Sequence, residues 1–278
     1  MPELYSINKS NYINYMHNKG EIFPISFHLH DGFEIYFLIS GDVNYFIEKK
    51  VYTLNYGDLI ITNNYEVHTP SFQSMKKYER IIIQFNSEIP GKFSTPGFNL
   101  LDCFIKRPLG INNKISLGKN QLTELLSLFN RIETAANSDI SGSEILKITA
   151  FIDLLVFINK AFAGSKHEED HPNVPEKLLP IMDYIDDNLE SQLSLAAFEN
   201  RFYLNRFYLS RLFKESTGIN IHEYITFKRI SKAKMLLSSG YSVTESCSQS
   251  GFTDYSNFIR VFKKIVGVPP GQFKKLSK

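Results

Sequence analysis

The sequence repeats one short pattern in its last third: NRFYLSRLFK at Asn205–Lys214 returns in related form as GFTDYSNFIRVFK at Gly251–Lys263. Both copies end on Arg-x-Phe-Lys, at Arg211–Lys214 and at Arg260–Lys263. Apolar residues recur every three or four positions in each copy, which is the spacing of a helix that buries one face. The segment Leu193–Phe273 therefore predicts two equivalent helical units, which the rest of the chain is expected to position or control.

Start and stop signals for helices divide this segment into units of helix, turn and helix. Gly218 and Gly267 supply the left-handed position that ends a helix, and a long helix, His222–Leu237, lies between the two units. A basic and aromatic second helix is what reading of the DNA major groove requires. The predicted N-terminal caps are Ser194, Asn205, Ser242 with Glu245 in a capping box, and Thr253.

The formal net charge of the 278 residues is +2, but the charge is unevenly spread. Residues 1–175 carry 16 Lys and Arg against 19 Asp and Glu, whereas from Arg201 onward there are 14 basic and 4 acidic residues. A basic end on a slightly acidic partner favours nucleic acid over a membrane, although a lysine-rich solvated surface would give the same imbalance.

Cysteine content and hydropathy indicate the cellular compartment in which the protein is expected. Two cysteines, Cys103 and Cys247, are too few for a disulfide framework or a cysteine zinc site. The N-terminus lacks a basic region followed by an apolar run, and the longest apolar runs are too short or too charged to span a bilayer. We therefore expect a soluble, cytoplasmic protein with no membrane partner, and we expect no cofactor.

The first third of the chain alternates short β-rich runs with turns from Ile25 to about Phe85, which predicts an antiparallel barrel or sandwich. The two-residue period places Phe33, Ile35 and Phe37 on the outer face, where other elements must cover them. The residues predicted to face the interior are His28, His30, Glu34, Tyr36 and Leu38.

The histidines of this region follow a recognisable spacing. His28-x-His30-x3-Glu34 resembles the first cupin motif, and Gly57-x10-His68 resembles the second. Such a set suits a divalent transition metal, but the same groups could hold a small polar ligand or simply hydrogen-bond one another. We assign no metal and no catalytic residue, and name Tyr45, Arg80 and Gln84 as further pocket candidates. The residues assigned to ligand binding are His28, His30, Glu34, Tyr36 and His68.

The middle of the chain changes to helical spacing. Apolar positions predict one helix from Lys119 that ends before residues 137–142 and a second over Glu144–Ala163. The pair could close the open face of the barrel, form a homodimer interface, or do both. Residues 164–175 are charged, flanked by Gly and Pro and without apolar periodicity, which predicts a linker.

The last part of the chain resembles the double helix-turn-helix domain of the AraC/XylS family of transcription regulators. The resemblance rests on Gly251-Phe252, Phe258, Arg260, Phe262-Lys263, Gly267-Val268-x-Pro270 and Phe273. It implies that the second helix of each unit enters a major groove, on one face of the DNA. The residues that it implies for DNA binding are Arg206, Phe207, Ser210, Arg211 and Lys214 in the first unit, and Asp254, Tyr255, Ser256, Asn257, Arg260 and Lys263 in the second.

Three positions depart from the family pattern. Glu199 stands where the family has a small Ala, Ser246 replaces an aliphatic residue, and Cys247 replaces Ala. These departures predict that either unit packs less tightly and binds DNA more weakly, or that it becomes ordered only on binding.

The expected fold class is α+β: a cupin-like barrel over residues 1–118, a helix pair over 119–163, a linker over 164–175 and a double helix-turn-helix domain over 176–278. We expect a sequence-specific transcription regulator that responds to a small polar effector such as a sugar. Its expected partners are double-stranded DNA, the effector, a second copy of the chain and RNA polymerase. The alternative is a cupin metalloenzyme, an isomerase or dioxygenase using the His/Glu set, for which the basic repeat would have no use.

Overall fold

A computed structural model describes residues 12–20, 32–72, 78–165 and 174–276. It combines an N-terminal part of two antiparallel sheets with a helical C-terminal part, which is the predicted α+β class. The strands are β1 (Ile13–Gly20), β2 (Phe33–Ser40), β3 (Val43–Ile47), β4 (Lys50–Leu54), β5 (Asp58–Thr62), β6 (His68–Phe72), β7 (Tyr78–Phe85) and β8 (Lys114–Ser116). The helices are α1 (Glu88–Phe93), α2 (Asp102–Ile105), α3 (Lys119–Ala136), α4 (Ser143–Gly164), α5 (Leu179–Asp187), α6 (Leu195–Phe202), α7 (Arg206–Thr217), α8 (Ile221–Ser238), α9 (Val243–Gln249), α10 (Tyr255–Val266) and α11 (Pro270–Leu276).

The two sheets share one interior. The larger sheet has the strand order β1-β7-β2-β5-β8, and the smaller one has the order β4-β3-β6. Tyr36 and Leu38 of β2 pack with Tyr45 and Ile47 of β3 in a common buried cluster. Tyr36, Leu38 and the buried Glu34 therefore face inward as predicted, while His28 and His30 lie outside the described residues.

The outer face of the larger sheet is covered by the helix pair. The Phe37 and Phe129 rings lie 5.5 Å apart, and the Phe85 and Phe151 rings lie 4.8 Å apart. Helices α3 and α4 match the predicted spans within one or two residues wherever the sequence bounded them. The prediction that Phe33, Ile35 and Phe37 are covered is thus confirmed, because all three belong to the cluster under α3 and α4.

Local capping signals account for most helix ends in the C-terminal part. Asn205 accepts hydrogen bonds from the amides of Phe207 and Tyr208, and the Ser194 and Ser242 caps also form. Gly218 and Gly267 end α7 and α10 with φ of 82° and 86°. Two predictions were wrong in detail. Asp254 rather than Thr253 caps α10, accepting from Asn257 N at 2.8 Å, and the first helix of this part, predicted from about Pro175, begins at Leu179 because a turn precedes it.

Helix α8 joins the two helix-turn-helix units through backbone contacts. Arg229 donates from Nε to Leu189 O at 3.0 Å and from Nη2 to Ser191 O at 2.8 Å. Gly251 has a φ of 90°, and a Cβ at this position would lie 1.9 Å from Leu189 O. The second unit can approach the first this closely only with a glycine at residue 251.

Across the described ranges, no helix is both long and apolar enough to cross a bilayer.

Candidate DNA-binding surface and effector pocket

Helix α7 separates a buried face from a basic one. Leu209 and Phe213 are fully buried, whereas the predicted DNA-binding residues of this unit are exposed or half-buried. Phe207 is 73% exposed although it is apolar, and the Arg206 guanidinium lies 5.2 Å from its ring centroid. An exposed aromatic ring next to a cation can contact the methyl group of thymine and the phosphate backbone.

Glu199 contacts the start of this helix instead of disturbing its packing. Its Oε1 accepts from Arg206 N at 3.1 Å, and its Oε2 lies 3.9 Å from Arg206 Nε. The carboxylate thus supplements the Asn205 cap and meets the positive end of the helix dipole. Phe198, the residue before Glu199, is fully buried.

Helix α10 repeats the arrangement of α7. Phe258, Phe262 and Val266 form its buried face. Arg260 Nη2 donates to Asn257 Oδ1 at 2.7 Å, so these two side chains brace each other on the exposed face. The six residues predicted for this unit are all exposed: Asp254, Tyr255, Ser256, Asn257, Arg260 and Lys263.

Lys228 and Lys234 of α8 face the barrel and do not add to this basic surface, a placement that the sequence did not predict. Lys234 is fully buried and donates to Asn64 O of the barrel. Lys228 bridges Glu48 of the barrel and Asp186 of α5, the latter at 3.0 Å. Part of the positive charge counted from Arg201 onward therefore joins the two halves of the protein.

We call the cluster of Glu48, Lys49, Asp183, Asp186 and Lys228 the interdomain ion cluster. Lys49 Nζ lies 2.7 Å from both Asp183 Oδ1 and Asp186 Oδ2, so charges of opposite sign alternate across the interface. Burial alone would lower the pKa of the Lys228 ammonium, but the two carboxylates beside it raise that pKa above its usual range. Lys228 therefore stays charged. Burial also raises the pKa of Glu48, against the opposing effect of Lys228.

A second set of contacts attaches α8 to the turn between β5 and β6. Ser231 Oγ donates to Tyr65 O at 2.7 Å, next to the Lys234 contact with Asn64 O. Apolar packing adds to both sets, because Phe46 and Val67 of the barrel belong to the core of the helical part. The helical domain is thus docked on the barrel through the smaller sheet and its turns.

The barrel interior holds a buried polar cluster centred on Glu34. Tyr45 Oη donates to Glu34 Oε1 at 2.8 Å, and Gln84 Nε2 donates to Glu34 Oε2 at 2.9 Å. His68 Nε2 lies 3.9 Å from Glu34 Oε1. The structure therefore brings together Glu34, Tyr36 and His68 of the predicted ligand residues with the further candidates Tyr45 and Gln84.

Several buried polar atoms of this interior have no hydrogen-bond partner among the described residues: Tyr36 Oη, Thr62 Oγ1, Arg80 Nε and Gln84 Oε1. Burial raises the pKa of the Tyr36 hydroxyl above its usual range, although the nearby Arg80 charge acts in the opposite direction. Unsatisfied buried polar groups cost about 1–3 kcal/mol each. Their concentration in one interior favours a guest that hydrogen-bonds there.

A metal centre cannot be assembled from the described part of the chain. No group of three His, Cys, Asp or Glu side chains gathers within those ranges. The first two members of the predicted His/Glu set, His28 and His30, lie outside them.

The turn between β5 and β6 connects this interior with α8. His68 Nδ1 donates to Glu66 O at 2.8 Å. Arg107 donates from Nη1 to Glu66 Oε1 at 2.6 Å and from Nη2 to Glu66 Oε2 at 2.7 Å. Burial would raise the pKa of Glu66, but the bonds from Arg107 and from backbone amides hold it below the ordinary value of 4.5. The turn is therefore hydrogen-bonded to the barrel through Glu66 and to α8 through the carbonyl groups of Asn64 and Tyr65.

A barrel with a buried polar interior, joined through α5 and α8 to a helical domain that exposes two basic helices, is the architecture of an effector-controlled transcription regulator. Comparison with known families agrees: an AraC-like ligand binding domain matches residues 20–94, and a helix-turn-helix domain matches residues 199–276. The chain belongs to the AraC/XylS family of transcription regulators.

Two curated relatives and one solved structure illustrate the similarity. The chain is 23% identical over 254 residues to the HTH-type transcriptional activator RhaR of Mannheimia succiniciproducens, covering 90% of this chain and 87% of the relative. It is 32% identical over 149 residues to the arabinose operon regulatory protein of Escherichia coli, covering 53% of this chain and 50% of that protein. ToxT from Vibrio cholerae aligns over 95% of this chain and 98% of its own, at 17% identity and a TM-score of 0.40.

Proposed function

We propose that this protein is a sequence-specific DNA-binding regulator in which α7 and α10 read adjacent major grooves and the barrel binds a small polar effector. The observation that carries the proposal is the pair of exposed basic faces on two helices that each have a side-chain cap, a buried stripe and a glycine stop. Arg211 and Arg260 are the candidates for base contacts, and Lys214 and Lys263 the candidates for phosphate contacts.

Binding to DNA from upstream of the protein's own gene tests this proposal. Arg211→Ala or Arg260→Ala should weaken specific binding by about 1–3 kcal/mol and relax sequence choice, because each removes a candidate base contact. Fluorescence anisotropy at several salt concentrations, on upstream and on random DNA, measures both effects. Lys160→Ala, an exposed cation on α4, is the control that should change neither. Absence of salt-sensitive, sequence-preferring binding by the unaltered protein would refute the proposal.

The effector proposal rests on Glu34, Tyr36, Tyr45, His68 and Gln84. Their carboxylate, hydroxyl, imidazole and amide groups lie in one buried interior and suit a hydroxylated molecule such as a sugar. One relative is named for the arabinose operon, which supports a sugar without identifying it. His28 and His30 complete the proposed ligand set from outside the described residues. A sugar panel in a thermal-shift assay tests this, since a ligand that binds only the folded state raises the melting temperature.

The remaining partners are also proposals. Ile145 and Leu146 are 66% and 62% exposed at the start of α4, which supports a homodimer through the helix pair. Sedimentation that gives a monomer at micromolar concentration, with and without effector, would contradict it. Contact with RNA polymerase and a cytoplasmic location follow from the proposed role in transcription. The domain division at residues 118, 163 and 175 belongs to the same proposal.

No catalytic role is part of the proposal. The relatives with this pair of domains are named as regulators, and the helix-turn-helix domain has no use in a cupin isomerase or dioxygenase. Stoichiometric metal in the purified protein, together with absence of DNA binding, would favour the enzyme instead.

A further inference from the structure

Arg80 is a buried cation on the inward row of β7. It is 5% exposed and lies opposite Leu38 in the β2–β7 register, while Gln84 lies opposite Glu34. Its guanidinium carbon is 5.7 Å from the Tyr36 ring centroid and 5.2 Å from that of Tyr78. The two rings thus neighbour the guanidinium and supply no carboxylate to balance its charge.

This cation has no counter-ion among the described residues. No carboxylate there lies within ion-pair distance of Arg80, and its Nε has no hydrogen-bond partner. Glu34 does not fill this role, since it lies four residues further along the inward row and receives Tyr45 and Gln84. An arginine does not lose its proton in a protein, and burial of an unpaired charge is strongly unfavourable. Cation–π contacts offset only part of that cost.

Arg107 of the same barrel shows the usual arrangement. It is also buried, and it pairs through two nitrogens with both oxygens of Glu66. The chain thus supplies a carboxylate for one buried arginine and none from its described part for the other. The Tyr36 hydroxyl lies beside the Arg80 guanidinium and has no hydrogen bond to any other described group.

We propose that the effector of this barrel carries an anionic oxygen group, a carboxylate or a phosphate, which pairs with Arg80 and Tyr36. The inference rests on the proposed effector site and specifies the chemical class of its ligand. A planar guanidinium binds such groups through two parallel hydrogen bonds. At the other end of the inward row, Thr62 and Gln84 offer hydrogen bonds to hydroxyl groups, and the Glu34 charge disfavours a second anion. The ligand class is therefore a hydroxylated acid, such as a sugar acid or a sugar phosphate, rather than a neutral sugar.

Two variants of buried arginines test the counter-ion argument without a ligand. Arg80→Met removes a charge that has no partner, so the melting temperature of the purified protein should stay the same or rise. Arg107→Met leaves the buried Glu66 carboxylate unpaired and should lower it by several degrees. Equal losses in the two variants would overturn the inference, because Arg80 would then be a structural ion-pair partner. Circular dichroism verifies that each variant is folded. A third variant, Arg80→Lys, keeps the positive charge but lacks the planar guanidinium that can form two parallel hydrogen bonds.

Small anions test the site itself. Acetate and inorganic phosphate, each compared with chloride at equal ionic strength, should raise the melting temperature of the unaltered protein. The rise should vanish in Arg80→Met and shrink in Arg80→Lys, and the larger of the two anion effects identifies carboxylate or phosphate. Glucose, glucuronate and glucose 6-phosphate extend the test to hydroxylated probes. Equal anion effects in the unaltered protein and Arg80→Met would refute the acidic effector even if upstream DNA is bound. Loss of DNA binding in the unaltered protein would instead refute the regulator proposal.

Discussion

At the scale of single residues, the contrast between Glu66 and Glu199 shows how one residue type serves two purposes. Glu66 is fully buried and accepts from Arg107, Gly110 N and Asn113 Nδ2. Glu199 is half-buried and accepts from a single amide at the start of α7. The first residue stabilises the barrel, and the second contacts the start of a helix that we propose to bind DNA. Substitution should therefore affect stability in one case and DNA affinity in the other.

Glu66→Gln should lower the free energy of unfolding by about 3–5 kcal/mol, because the buried Arg107 loses its counter-ion. The pH dependence has a definite sign. Since the folded pKa of Glu66 lies below 4.5, its stabilisation is present above that value and is lost as the pH falls through the folded pKa. Urea unfolding between acid and neutral pH should show a flatter acid loss in the variant. Glu88→Gln, at an exposed pair with Lys92, should leave the curve unchanged, and a steep acid loss retained in Glu66→Gln would assign it to other groups.

Glu199→Ala should raise the affinity for random DNA by about 0.3–1 kcal/mol, because it removes a negative charge from the end of α7 where we propose that phosphates bind. Glu199→Gln separates the two roles of the side chain, since it keeps an acceptor for Arg206 N and loses only the charge. Anisotropy titrations should show the same gain for both variants. A gain restricted to Glu199→Ala would attribute the effect to the helix cap.

At the scale of elements, local signals were readable in the sequence and long-range contacts were not. The Asn205 and Ser242 caps and the stop at Gly218 depend on residues a few positions apart, so the sequence predicted them. Lys228 and Glu48 are 180 positions apart, and nothing in either neighbourhood indicates their contact. The alternation in β2 predicted an inward Glu34 and Tyr36, but not that Gln84 and Tyr45 would bind Glu34. The register between strands that are distant in sequence depends on tertiary packing, which cannot be read from local patterns in one sequence.

Gly251→Ala should destabilise the helical domain far more than the cost of placing an alanine in a left-handed backbone conformation. The added Cβ would meet Leu189 O at 1.9 Å, so the two helix-turn-helix units would have to move apart. Gly240→Ala is the matched control, because Gly240 also has a positive φ, of 95°, but nothing within 4 Å of the added Cβ. The control should cost about 1 kcal/mol, measured by urea unfolding. Equal losses at the two glycines would contradict the close approach.

At the scale of the whole molecule, the docked arrangement connects the proposed effector pocket with the DNA-binding domain through a continuous set of contacts. His68 is bonded to the turn that holds Ser231 and Lys234, and the interdomain ion cluster holds α8 from the neighbouring turn of the barrel. A ligand that binds docked and undocked forms with different affinity shifts their balance. Both sets of contacts converge on α8, the helix that also joins the two recognition units.

Lys228→Met should favour the undocked form, because it leaves the carboxylates of Glu48 and Asp186 facing each other across the interface without their shared cation. Small-angle scattering should then give a larger radius of gyration, and protease cleavage within residues 164–175 should accelerate. Lys232→Met is the control, since Lys232 pairs with Glu190 inside the helical part. A variant with the scattering profile and cleavage rate of the unaltered protein would show that the ion cluster does not maintain docking.

The predicted linker between α4 and α5 affects how much ligand binding energy is needed to shift the balance between docked and undocked forms. Because both halves belong to one chain, their docking is intramolecular, and a short tether gives an effective concentration of roughly millimolar. Contacts too weak to join separate proteins at cellular concentrations can therefore stay occupied here. Inverting such a balance from 1:99 to 99:1 takes a difference of about 5.5 kcal/mol in ligand affinity. A metabolite weighing a small fraction of the protein can supply that difference, so covalent linkage keeps this interface within the reach of a small effector.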